Sequence, residues 1–123
     1  MVGYQNDYLS MSGDIEITVD RAKFLEVARM LQRNRRAFHA AKVMLALENG
    51  ELRIEFENGG CVLPCACPQR LTAVMAAPKF AGIAVEHRHE KTADQTIQLT
   101  FRPNDGIFAT RLAGVKAKIT LRE

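Results

Sequence analysis

The feature that most constrains this chain is self-similarity. Its 123 residues divide into halves that align without a gap at an offset of about 56 positions. Lys23-Phe24 falls on Lys79-Phe80, and Val27-Ala28 on Ile83-Ala84. Val43 and Leu45 fall on Leu99 and Phe101, and Asn49-Gly50 on Asp105-Gly106. Cys61, Leu63 and Cys65 fall on Ala117, Ile119 and Leu121. The matches share residue type and phase more than identity, as expected of one supersecondary unit used twice.

Within the first unit, Ile15, Ile17 and Val19 alternate with polar residues, which predicts a strand over 14–19. Asp20 offers a helix-capping carboxylate. A helix over 21–34 follows, with Phe24, Val27, Ala28 and Leu31 on one apolar face and Glu26, Arg29 and Arg33 on the other. Val43, Leu45 and Leu47, then Leu52, Ile54 and Phe56, mark two strands joined by Asn49-Gly50, a two-residue turn in which both positions need positive φ. Asn58-Gly59-Gly60 predicts a further turn. Cys61 to Cys67 reads as an edge strand, interrupted by Pro64 and ended by Pro68.

The second unit repeats that order. Thr72 to Ala76 is a strand, Pro78 suits a first helical turn, and Phe80, Ile83, Ala84 and His87 form the inner face of a helix. After a polar loop from Arg88 to Gln95, Ile97, Leu99 and Phe101 form a strand. Asp105-Gly106 turns into a return strand marked by Phe108, Thr110 and Leu112, and Gly114 turns again. Val115, Ala117, Ile119 and Leu121 then alternate with Lys116, Lys118 and Thr120. Neither unit can bury its apolar faces alone. Side by side they would form an eight-stranded layer with both helices on its apolar face, an α+β fold.

Composition fits one globular domain: 47% of residues are hydrophobic and 25% charged. Residues 1–13 show no period and read as a flexible leader, with Met11 a candidate alternative start; 14–123 form the domain, with units over about 14–67 and 71–121. The start has neither a basic n-region nor an apolar h-region, and no apolar run is long enough to span a bilayer, so a cytoplasmic, non-membrane protein is expected. The net charge of +3 permits nucleic-acid binding without requiring it.

Strand–helix–three strands, given twice in about 110 residues, resembles one domain of the DNA sliding clamps, the bacterial beta clamp and the proliferating-cell nuclear antigen. Ala73-Val74-Met75-Ala76-Ala77-Pro78-Lys79-Phe80 is similar to the passage into the second helix of a bacterial clamp domain. Ile17-Thr18-Val19-Asp20-Arg21-Ala22-Lys23-Phe24-Leu25 is similar to such a domain's start. The resemblance implies two tandem β-α-β-β-β units with two helices packed on one face of an antiparallel sheet. It also implies helices facing DNA. A clamp ring holds six such domains and this chain supplies one, so closure would take six copies or other partners.

On that reading Lys23, Arg29, Arg33, Arg35, Arg36, Lys79 and Arg88 form a positive strip for phosphate contacts that carry no sequence information. The bland alternative is a solvated helix face, diluted by Glu26 and Glu86. The expected partners are double-stranded DNA, further copies of the chain through edge strands, and a polymerase or clamp. The alternative function is a protein-interaction or regulatory module that keeps the fold without encircling DNA. Lys116 and Lys118 read as protection of a sheet edge.

Cys61, Cys65 and Cys67 with His87 and His89 lack the paired spacing of a zinc site, so the thiols read as small hydrophobes and no metal or cofactor is expected. Cys67 with His39 or His87 could be drawn together as a nucleophile and base. No hydrolase, metalloprotease or phosphate-loop motif accompanies them, and His87 reads as a buried, hydrogen-bonded residue rather than a catalyst.

Overall fold

Local chemistry sets the elements. In the computed structural model, which describes residues 13–33, 42–57 and 59–122, strand β1 (Ile15–Asp20) runs directly into helix α1 (Arg21–Arg33). The turn into the helix is capped by Asp20, whose Oδ1 accepts the Lys23 N–H at 2.9 Å, satisfying one of the free donors of the first turn. Phe24, Val27, Ala28 and Leu31 are all buried, as their spacing requires.

Strands β2 (Lys42–Glu48) and β3 (Glu51–Phe56) close on Asn49 and Gly50, with φ of 54° and 76°. Strand β4 (Gly59–Pro64) pairs with β3. Strand β5 (Arg70–Ala76) leads into helix α2 (Ala77–Arg88), which carries its proline in the first turn. Strands β6 (Thr96–Arg102), β7 (Ile107–Ala109), β8 (Gly114–Lys116) and β9 (Lys118–Arg122) complete the described chain.

The fold is α+β, with two antiparallel sheets rather than one layer on one face. One has the order β1-β6-β7-β8, the other β4-β3-β2-β5-β9. The first strand of each half therefore pairs within the other half: β1 with β6, and β5 with β2. The helices pack on each other, Phe24 meeting Phe80 edge-on at 5.5 Å. Helix α1 also touches β1, β4 and β6, and α2 touches β5, β8 and β2. Phe80, Phe108 and Phe101 continue the aromatic contacts into the second half. On the other side of the five-stranded sheet's core, Glu48 of β2 pairs with Arg70 of β5 and Arg122 of β9.

Several expectations change. Asp105-Gly106 is not a two-residue primed turn. Arg102 pairs with Ile107, so the connection is four residues long, and of those four only Gly106 has positive φ, at 64°. The gapless register also fails beyond this turn. Cys65 N–H donates to Gly50 O, and the matching bond runs from Ala117 N–H to Gly106 O. In hydrogen bonding to the turn, Ala117 and not Leu121 takes the place that Cys65 has, and Leu121 is exposed. The second hairpin is shorter because its return strand ends at Ala109, leaving Thr110 and Leu112 in a bend. Gly59 and Gly60 open β4 instead of turning the chain, while Asn58 lies outside the described residues. Gly60 is demanded by a close approach: a Cβ there would sit 2.5 Å from Ile54 O. The Cys61–Cys67 strand stops at Pro64, and the Thr72 strand begins earlier, at Arg70. The leader at 1–12 lies outside the described residues.

The last alternating run is broken at Ala117, and that break joins the sheets. Ala117 turns its N–H towards the β7 side, so alternation turns Lys118, Thr120 and Arg122 towards β5, where β9 pairs. Counting on from Cys65, the corresponding residues are Ala66, Pro68 and Arg70. Pro68 has no N–H to give, and β1 and β4 lie close without sharing a ladder.

Candidate nucleic-acid interface

The helix layer carries most of the expected basic strip. Lys23, Arg29 and Arg33 are exposed on α1, and Lys79 and Arg88 on α2. Arg35 and Arg36 lie outside the described residues. The strip is partly neutralised by its own neighbours. Glu26 takes Arg29 at 3.5 Å and Arg33 at 4.0 Å, both in solvent, where such pairs hold weakly and rearrange readily. Arg88 Nη1 donates to Gln32 Oε1 at 3.2 Å, tying the two helices together. Lys23 also lies near β4, where its charge pulls the Cys61 thiol down against the larger upward push of burial.

Met30 and Val85 share the exposed helix surface. They add apolar area that phosphate recognition does not use.

A second constellation was not anticipated. His87, 2% exposed, sits at the centre of a polar cluster that joins the start of α1 to the end of α2. Arg21 Nη1 donates to Glu90 Oε1 at 3.0 Å, and Arg21 Nη2 to the His87 carbonyl at 2.7 Å. Arg111 pairs with Glu90 Oε2. His87 Nδ1 lies 3.3 Å from Glu90 Oε1, and Nε2 lies 2.6 Å from Thr110 Oγ1, which accepts the Leu112 N–H. A neutral ring donating from Nδ1 to the carboxylate and accepting the Thr110 hydroxyl at Nε2 satisfies every partner. Burial, then Arg21 and Arg111, push the His87 pKa down against an opposing Glu86. The adjoining cleft of about 380 Å3 is lined by Arg21, His87, Glu90 and Arg111 with Thr18, Thr96 and Gln98.

His87 had a readable signal, a polar residue on an apolar face. Arg21 and Glu90 had none, being 69 positions apart with ordinary surface chemistry.

Cys61, Cys65 and Cys67 are free thiols. Burial raises the Cys65 pKa, with Cys67 and Glu51 adding to it, which keeps that thiol protonated and unreactive at neutral pH. Cys67 Sγ donates to Gln69 Oε1 at 3.1 Å. Among the described residues no three potential metal ligands converge, and no helix is long and apolar enough to cross a membrane. Compared with known proteins, the chain matches no family model, no curated protein and no solved structure.

Proposed function

We propose that this protein is a DNA-clamp-like domain that assembles through edge strands and holds duplex DNA nonspecifically against its helix layer, in association with replication or repair. The observation that carries this reading is the reciprocal exchange of first strands, β1 into the β6 sheet and β5 into the β2 sheet. The matched helix contacts support the two-unit interpretation. So do the meetings of Phe24 with Phe80 and Gln32 with Arg88, each joining residues 56 apart. Pairs of equivalent residues that touch each other lie near a local two-fold axis.

Exposed Lys23, Arg29, Arg33, Lys79 and Arg88 supply the phosphate contacts, which need no base reading and no catalytic residue. Among the described residues, β9 ends the five-stranded sheet with no strand laddered beyond it. Strand pairing between copies would extend the sheet from this edge. Light scattering is the first test, with a species near six times the 13.7 kDa chain mass as the ring expectation. DNA retention should weaken with salt, and the slope should fall by about 0.9 for each basic residue removed that contacts a phosphate. A strict monomer that retains no DNA at low salt would overturn the proposal.

Met30 and Val85 favour a second reading. In it, the helix layer docks a protein such as a polymerase or a true clamp, and the domain never encircles DNA. Co-purification of one protein partner without nucleic acid would select it.

A further inference from the structure

The β5–β9 ladder pairs Arg70 with Arg122, Thr72 with Thr120 and Val74 with Lys118, and ends there. In the same register the next opposed residues are Ala76 and Lys116, a pair the ladder does not include. The chain turns at Ala117, and β8 pairs with β7 instead. The strands part at this point around a cleft of about 510 Å3. Val74, Met75, Ile107 and Ala117 give it an apolar floor, and Lys42, Lys116 and Lys118 stand around the rim with one acid, Asp105. All three lysines are exposed, and Lys116 and Lys118 alternate with the core-facing Val115, Ala117 and Ile119. The cleft therefore opens on the sheet face away from the helices.

We propose that this cleft docks an extended acidic peptide segment of a partner protein. An apolar side chain of the peptide enters the floor, and flanking carboxylates meet the three lysines. Lys116 and Ala76 flank the gap as the next opposed pair of the register, and there the peptide main chain extends the interrupted ladder. Charge selects the occupant: three ammonium groups around one pocket repel one another until carboxylates join them. The apolar floor favours a peptide over a phosphate backbone, which has nothing to place there. The site stands apart from the helix layer and does not depend on DNA being held by it.

The test is an amide-shift titration of the isotope-labelled chain with a capped Asp-Leu-Asp-Leu-Asp peptide. A capped Lys-Leu-Lys-Leu-Lys peptide and a duplex oligonucleotide serve as the other arms. The acidic peptide should give saturable shifts at Ala76, Gly106, Ile107 and Lys118. The double variant Lys116→Glu/Lys118→Glu, at two exposed positions, should weaken its binding by roughly tenfold or more. The lysine peptide tests the same charge rule on the unaltered protein. No saturable shift at millimolar peptide, equal binding of the lysine peptide, or tighter saturation of the same amides by the duplex would each overturn the proposal.

Discussion

The contact between Phe24 and Phe80 provides the sharpest test of how the two halves are held together. Both rings are fully buried, 5.5 Å apart and edge-on, and Phe80 continues to Phe108 at 6.2 Å. Phe80→Ala removes a core ring from the junction of both helices and should cost about 3–5 kcal/mol. Against a total stability of roughly 5–15 kcal/mol this is severe. For a chain of this size it corresponds to a melting point lower by roughly 12–20 °C.

Phe24→Ala should cost a similar amount. The double variant should lose less than the sum, because the edge-on pair is worth about 0.5–1.5 kcal/mol beyond area burial and disappears with either ring. The assay is urea and thermal unfolding followed by far-UV circular dichroism, since the chain has no Trp and its two tyrosines lie outside the described residues. Additivity within about 0.3 kcal/mol would show that the rings do not couple the helices. A Phe80→Ala loss below about 1 kcal/mol would refute the burial argument itself.

Four further outcomes are expected. Glu90→Ala leaves Arg21, only 13% exposed, without its carboxylate; the loss should be about 2–4 kcal/mol by urea unfolding, and less than about 0.5 kcal/mol would mean the cluster is loosely held. Because the folded His87 pKa lies below the ordinary 6.5, the unfolded chain takes up that proton more readily. Stability should therefore be level with respect to His87 above about pH 6.5 and fall as pH drops towards the folded value, and His87→Gln should flatten that part of the profile; an unchanged slope would assign the effect to another group. Gly60→Ala should destabilise by about 1–3 kcal/mol, since its Cβ meets a backbone oxygen that cannot rotate away. Gly82→Ala, on the exposed face of α2 with nothing within 4 Å, should instead stabilise by about 0.4–1 kcal/mol, and the same sign for both glycines in unfolding experiments would contradict this account.

The element order and most of the core were legible in the sequence. Both helix faces, the Asp20 cap, the Asn49-Gly50 turn and the buried phases of β2, β3 and β6 followed from side-chain periodicity and local backbone preference. Of the candidate interface, Lys23, Arg29, Arg33, Lys79 and Arg88 are exposed on the helices as their positions implied. Their pairing with Glu26 and Gln32 depended on side-chain reach within and between helices. The departures lay in the single layer, which is two sheets, in the bounds of β4 and β5, and in the second hairpin. There Asp105-Gly106 resembled a tight turn, but the return strand was too short to keep the first half's spacing.

Periodicity declares which face of a strand is buried, and Asn49-Gly50 or Pro78 declares where the chain bends. Neither declares a neighbour, because backbone N–H and C=O groups are alike along every strand. Packing of the completed core therefore decided that β1 joins β6, that β5 joins β2, and that the strand breaking at Ala117 links the two sheets. The same packing brought Arg21, His87 and Glu90 together. The order of elements was readable in the sequence; which of them pair was decided only in three dimensions.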